Sequence, residues 1–576
     1  MTPVEGQVAQ WVGQAFLKAG FPAGSSDVVV SERPEIGDYQ CNGAMAISKQ
    51  VGLPPRQIAE RVVREMKAPA ACSVDGPGFI NVRLHDSYLT EQAALLTADA
   101  RLGVAAVAEP ITVTIDFGGP NVAKPLHIGH LRTAVIGDCL QRLQRFMGNT
   151  VTSDVHMGDW GTQMGMVIEG IRRMMPGSVY FQAGYAGAYP EELPLSSAEL
   201  AEIYPMESAR CKSDPEAYRS ALSATVRLQA GDPGLTALWR QFTDVSVAES
   251  RQLYDTLGIH FDAWNGESTY NDLIPPLLAQ LREQGLAVMS EGALIIPLTD
   301  MPPLLLLKSD GAYLYATTDL ATLYERVQSG QRRILYVVDQ RQSLHFKQLF
   351  SAATATGILP PSVDAEFLGY GTVNGPDGKP YKTRSGNAPS LGELVRMVRE
   401  RSSLRLDELR TKEHFTEQEK QAATEAITVA SLKFADLINS RLTNYVFDVD
   451  RVTAFEGKTG PYVLYTAVRI NSLLAGEVPG TFHPTLVVTA EERNVLLLLL
   501  QLSPHVHRAY QINAPHVLCE FAFALSQAFN RFYQTTPVRS AESAAVKENR
   551  LALTSLCAKE LKLLCGLIGM DIPEHM

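Results

Sequence analysis

Cysteine is scarce and scattered in this 576-residue chain. The seven thiols, at positions 41, 72, 139, 211, 519, 557 and 565, form no CxxC pair and no grouping with histidine at zinc spacing. Neither a disulfide framework nor a zinc site is expected, and the thiols read as reduced core residues of a cytoplasmic protein. Long apolar runs are missing as well. The longest, VLLLLL at 495–500, is far shorter than the roughly 20 residues that cross a bilayer, so no membrane partner is expected. The amino-terminal stretch has no basic start. Val4, Val8, Trp11, Val12 and Phe16 recur at helical spacing, which predicts a folded helix and not a signal peptide. Positive charge is in short supply: Lys+Arg 51 against Asp+Glu 62 gives a net charge of −11. That balance excludes bulk electrostatic attraction to nucleic acid and leaves only local basic patches for an RNA partner.

With 45% hydrophobic and 20% charged residues, the chain has the composition of a soluble globular protein long enough for two to four domains. Three textures follow one another. Residues 1–108 mix helical patterns (QIAERVVREM) with short strand-like runs (FINVRL), a small α+β module closed by the linker-like ARLGVAAVAEP. Residues 109–390 alternate strand and helix. ITVTIDF, RRILYVVD and EFLGYGTV are the strand candidates, and a helix is expected from about His130 to Gly148. Strands separated by helices imply βαβ units and a Rossmann-like parallel sheet. A mainly helical insertion falls at about 171–262, and LLLLKSDGAYLY reads as a hairpin turning at Asp310-Gly311. Residues 391–576 carry only helical patterns, at 417–440, 459–475, 490–512, 514–533 and 542–569, with Pro504 a kink or break. Thr416 with Glu419 and Thr489 with Glu492 fit the capping box that opens a helix.

The chemistry concentrates in GGPNVAKPLHIGHLRTAVIGD, residues 118–138. A strand that ends in a Gly-Gly-Pro loop and feeds a helix N-terminus makes an anion site, because unpaired backbone N–H groups and the helix dipole meet there. His127 and His130 can each offer an N–H to phosphate oxygens, Lys124 adds a full charge, and Gly129 lets a flat group such as a purine approach the backbone. Asn121 lies in the same loop. This set suits a reaction that accumulates negative charge around phosphorus.

HIGH, preceded by PNVAKPL and followed by LRTAVIGD, resembles the first motif of class I aminoacyl-tRNA synthetases, and of the arginyl family in particular. The resemblance runs on through HMGDWGTQMG, NGES, AYLYATTDLA, FEGKTGPYVLYTAVR and FAFALSQAFNRFYQTTPV, covering nearly the whole chain. It implies ATP, as its Mg2+ complex, and L-arginine as substrates, an arginyl-adenylate intermediate, transfer to tRNA(Arg), and a monomer. It also implies that Lys124, His127, His130 and Lys382 are catalytic, and that His127, Gly129, His130, Lys379, Lys382 and Arg384 hold ATP.

Two departures stand out. The second lysine-rich motif is degraded to GKPYKTRSG at 378–386, and Lys124 fills the position that compensates in such family members. Gly118-Gly119 replaces a serine-containing pair, which removes hydroxyl donors and leaves backbone N–H groups to act.

A guanidinium needs planar carboxylate acceptors and an aromatic face. Tyr315 and Asp319 fall four apart at a predicted helix start, on one face. By resemblance they join Glu267 and Gln342 at the side-chain end of arginine, while Asp116, Asn121 and His130 hold the amino and carboxylate end. Buried acceptors left unpaired by a wrong amino acid would supply selectivity without an editing domain. In TGPYVLYTAVR, Tyr462, Tyr465 and Arg469 share a helical face suited to stacking splayed anticodon bases. By resemblance Met576 reaches the same site, and Phe79 and Asn81 touch the tRNA elbow. Competing readings are another class I synthetase, a small nucleotidyltransferase, and a catalytically silent relative that binds arginine or RNA as a regulator.

Overall fold

The β-branched run TVTID favours the pleated, buried backbone of an inner strand, and Thr112–Asp116 (β1) is that strand, with its last four residues buried. The computed structural model describes residues 2–23, 26–308, 313–375, 377–379, 389–409, 416–478, 480–483 and 489–576. In it β1 pairs in parallel with Thr150–Asp154 (β2) on one side and with Arg333–Tyr336 (β3) on the other, and Asp364–Phe367 (β4) lies beyond β3. The chain thus leaves β1 toward one side and returns on the opposite side. This reversal opens a crevice at the carboxyl ends of β1 and β3, where open parallel sheets bind ligands. Strand β2 lacks the long apolar run that marked the others, and the sequence reading passed over it.

The helix after β1 spans Ile128–Phe146 (α1), two residues earlier than its apolar periodicity suggests, because His127 itself caps it. Gly137 on this helix admits the Phe117 ring, which a Cβ there would strike. Helices Thr162–Met174, Ser197–Ser213, Pro215–Gln229 and Pro233–Thr256 fill the expected insertion around their own core of Met164, Val167, Ile168, Leu200, Leu238 and Phe242. Leu304–Leu307 is the third strand of an antiparallel meander with Ala293–Ile296 and Val288–Ser290. A single bridge joins Leu307 to Tyr313, and the turn expected at Asp310-Gly311 lies outside the described residues. Tyr315–Gln328 (α2) follows.

By contacts the chain forms two compact units, residues 107–413 with 427–453, and residues 1–106 with 414–426 and 454–576. The carboxy-terminal helical region of the sequence reading is therefore divided. Residues 427–453 join the sheet-bearing unit because two buried ion pairs tie the end of Glu417–Leu437 (α3) to α1. Lys433 meets Asp138 at 2.8 Å, and Arg132 meets Asp436 at 3.1 Å.

In the other unit the amino-terminal segment is an antiparallel sheet, ordered Val28–Val30, Tyr39–Cys41, Phe79–Leu84, Ala70–Asp75. The carboxy-terminal segment is helical: Gly460–Leu474 (α4), Ala490–Leu499 (α5), Leu502–Gln511, His516–Thr535 and Ala544–Ile568 (α6). The helical pattern at 490–512 breaks at Leu500 and Gln501. Pro504 sits in the first turn of the helix that restarts, where its missing N–H costs nothing. Arg493 on α5 reaches Asp38 at 2.7 Å, Asp86 and the Leu84 carbonyl of the amino-terminal segment.

Candidate active site

At the mouth of α1 the two histidines fold back on the helix start. The Gly129 N–H donates to Nδ1 of His127 and the His127 N–H donates to Nδ1 of His130, both at 3.0 Å. Each ring is an acceptor at Nδ1, so each neutral imidazole carries its proton on Nε2. Burial, with His127 and Lys124 nearby, lowers the His130 pKa to about 3, and burial followed by Arg341 lowers that of His127. The pair therefore offers two Nε2–H donors, and burial favours the neutral form of both rings. Gly129 has a second reason to be glycine, since a Cβ would stand 2.8 Å from Cε1 of His127. Lys124 lies with its Nζ 4.2 Å from the centre of the Tyr204 ring, which the inserted helices supply.

A cluster of acids and imidazoles occupies the carboxyl ends of β1 and β2. Asp319, on the first turns of α2, is clasped on both oxygens. His345 Nε2 is 2.6 Å from Oδ2, and His156 Nε2 is 3.6 Å from Oδ1. Burial alone would raise its pKa, but the two imidazoles hold it down at about 2. The Tyr315 ring packs on His345 with centroids 4.7 Å apart and stays 62% exposed. Glu267 begins a short 3-10 helix, Glu267–Leu273, and burial raises its pKa to about 7. Asp159 holds that turn in place by accepting from Ser268 N–H at 2.9 Å and Ser268 Oγ at 2.6 Å.

Asp116 is less available than expected. Arg326 binds it at 2.8 Å and Asp154 at 3.0 Å, and all three side chains are buried. Asp116 thus works first as a structural partner of Arg326, and burial raises its pKa. Asn121 is partly buried and bridges to Gly158. Gln342 is exposed at the foot of helix Ser343–Ala355, three residues before His345.

The family description "tRNA synthetases class I (R), catalytic domain" fits residues 91–449, more than half of the chain. "Arginyl tRNA synthetase N terminal domain" fits 6–84, and "DALR anticodon binding domain" fits 463–576. The chain belongs to the class I arginyl-tRNA synthetases. It is 44% identical to an arginine–tRNA ligase of Maricaulis maris and 40% identical to one of Francisella tularensis subsp. novicida, each alignment covering all of both chains. Its fold matches the arginyl-tRNA synthetase of Plasmodium falciparum (TM-score 0.83, 24% identity) and that of Thermus thermophilus (0.79, 22%), again over the full length of both.

Within the family frame, the Gly118-Gly119 departure has a local cause. Gly118 adopts φ +88 and a Cβ there would lie 2.9 Å from Phe261, so a serine does not fit this backbone. Its N–H is also spent, at 3.0 Å, on Thr133 Oγ1. The expectation that Gly118 offers this donor to a ligand is therefore corrected. Lys379 is exposed, while Lys382 and Arg384 lie outside the described residues. On α4, Tyr462, Tyr465 and Arg469 are all partly buried and linked. Asn530 joins the Tyr462 hydroxyl (3.0 Å) to Arg469 (2.6 Å), whose guanidinium lies 4.7 Å from the Tyr465 ring centre. Met576 is partly buried, as is Phe79. Asn81 is only 1% exposed and accepts from Gln40 across the sheet at 3.0 Å. Its place is inside the amino-terminal sheet, which leaves little of it for a tRNA surface.

The sequence reading missed His156, Asp159, Arg326 and His345. The block HMGDWGTQMG was the signal available for the first two.

Proposed function

We propose that the crevice activates L-arginine with ATP and then passes the arginyl group to the 3′ end of tRNA(Arg). The observation that carries this reading is the placement of a two-imidazole helix mouth and an acid-lined pocket around the carboxyl ends of one parallel sheet. In the first step the arginine carboxylate attacks the α-phosphorus, a new C–O–P linkage forms, and pyrophosphate leaves with the electron pair of the broken P–O bond. The Nε2–H groups of His127 and His130 face the charge that builds on the phosphoryl oxygens, and Lys124 adds a cation. Gly129 belongs to the nucleotide end with Lys379, Lys382 and Arg384. Asp319 and Glu267 receive the guanidinium beside Tyr315 and Gln342, and Asn121 with Asp116 lies toward the amino end.

ATP enters as its Mg2+ complex. Mg2+ would neutralise phosphate charge, and phosphate oxygens and water would suit a hard cation that dehydrates reluctantly.

Residues 109–390 form the catalytic domain in this reading, residues 391–576 the connecting and anticodon-binding region, and residues 1–108 the module at the tRNA elbow. Tyr462, Tyr465, Arg469 and Met576 meet the anticodon loop, and Phe79, with Asn81 shaping its strand, meets the elbow. The protein acts as a cytoplasmic monomer. Among the described residues no helix is long and apolar enough to cross a membrane.

ATP–pyrophosphate exchange across the twenty amino acids, with and without tRNA, tests the proposal. Exchange with arginine alone is expected. Exchange with a different amino acid overturns the substrate, and arginine binding without any exchange or aminoacylation favours the silent regulator.

A further inference from the structure

The block HMGDWG contributes a residue to the pocket whose position the overall reaction does not explain. His156 adopts φ +41, a left-handed backbone conformation that non-glycine residues seldom take. This turn brings its Nε2 to 3.6 Å from Asp319 Oδ1, the oxygen that His345 does not hold. Its Nδ1 is buried and has no hydrogen-bond partner among the described residues. Its ring stands 5.8 Å from that of Tyr270.

The charged groups around it come from every neighbouring element. Asp116 ends β1, Asp154 ends β2, Asp159 follows in the same loop, and Glu267 starts the adjoining 3-10 helix. Asp319 and Arg326 project from α2, and His345 stands on the far side of Asp319. Arg326 is committed to Asp116 and Asp154. Asp319 and Glu267 thus remain for an incoming guanidinium, and His156 sits on the same oxygen that one arm of its fork requires.

We propose that His156 is a charge placeholder for the guanidinium: it stands protonated against Asp319 while the pocket is empty and releases that proton to solvent when arginine takes the carboxylate. This rests on the arginine-pocket reading above and adds a regulation of binding to it. Burial disfavours the imidazolium, and the bond to Asp319 together with the charge of Asp116 outweighs burial, raising the pKa to about 9. A guanidinium cannot surrender its own proton, so its arrival adds a fixed positive charge and removes the acceptor at Nε2. With Nδ1 unpartnered among the described residues, no second acceptor there retains the imidazolium. The placeholder also keeps an empty acid pocket from standing uncompensated, since buried charges require a partner.

The sign follows. Below about pH 9 the empty pocket holds a proton that must leave, so arginine affinity rises with pH between 7 and 9. Glu267 would also lose a proton on binding, but its pKa of about 7 confines that contribution to the lower end of the range.

Titration calorimetry of L-arginine into the full-length protein at pH 8, in two buffers of different ionisation enthalpy, counts the protons. His156→Asn is the comparison, because asparagine tolerates positive φ and carries no charge. Release of a substantial fraction of one proton is expected from the wild type and close to none from His156→Asn. Between pH 7 and 8 the wild-type Kd should fall about tenfold or more, while that of the variant changes about twofold or less. At pH 7 the variant should bind no more weakly than the wild type. Equal proton counts in the two proteins, or a variant that binds more weakly at every pH with an unchanged slope, would overturn the proposal and leave His156 a structural residue. Failure of the wild type to bind arginine at all would instead remove the pocket reading on which the proposal stands.

Discussion

Arg132, two residues beyond His130 on α1, is sealed against Asp436 of α3 at 3.1 Å with both side chains 1% exposed. The same guanidinium donates to the Thr443 carbonyl at 2.9 Å and the Arg441 carbonyl at 3.2 Å. Removing one member of a buried pair leaves the other charge without compensation, a loss of about 3–5 kcal/mol. Arg132→Met should therefore lower the melting transition by several degrees. The double variant Arg132→Met with Asp436→Leu should recover most of the loss. Calorimetric melting of the single and double variants decides this. A double variant as unstable as the single one would show that the carbonyl contacts dominate.

His130 should matter to rate and hardly at all to stability. In His130→Asn the amide oxygen can still accept the His127 N–H, but the Nε2–H donor is gone. Loss of one donor at a developing anion costs about 10²–10³ in rate, to be read from ATP–pyrophosphate exchange with the melting temperature unchanged. Because the His130 pKa is lowered to about 3 by burial, the ring is neutral throughout the working range. Any acidic limb of the wild-type profile between pH 5 and 8 must then arise from another group.

Restoring the serine at position 118 should harm the protein. The positive φ and the approach of Phe261 predict a cost of about 1–2 kcal/mol for Gly118→Ser. A lower melting temperature with no improvement in the KM for ATP is the expected result. A serine that raised both stability and activity would show that the loop relaxes more freely than its geometry suggests.

Glu560 on α6 is fully buried, and among the described residues neither carboxyl oxygen has a hydrogen-bond partner. Burial pushes its pKa well above the usual carboxylate range. In the unfolded chain the group ionises near pH 4–5. As pH rises above that, the unfolded state loses its proton while the folded state retains one, and stability falls. Glu560→Gln should therefore melt at a higher temperature than the wild type at pH 8, with the difference shrinking toward pH 5. Melting curves at the two pH values read the effect. A constant difference would deny the linkage.

Much of the architecture was legible because it depends on local rules. The β-branched run at 112–116, the glycine break after it and the helix beginning at the HIGH block lie within forty residues of one another. The capping boxes at Thr489 and Thr416 close as their spacing implies, each with the glutamate three residues on. What escaped was non-local. His156 and Asp319 are brought together by a fold, not by a spacing, and so are Asp116 and Arg326. Nothing near Asp116 in sequence announces Arg326, which the fold brings to 2.8 Å from it. Which imidazole nitrogen donates could not be inferred from composition, since it depends on backbone N–H groups that close back on the two rings. Asn81 was expected at the tRNA elbow by resemblance, yet on the strand face opposite Ile80 and Val82 it is covered by Gln40 and Gly37, which no local spacing announces.

Arg493 draws Asp38, Asp86 and a strand-end carbonyl onto the helical bundle. Cut away at residue 106, the remaining chain would carry a guanidinium in a partly apolar scar with no counter-ion. The two ends of the polypeptide are thus a single inheritance: excision, swapping or fusion of one terminus has to carry the matching acid or base of the other.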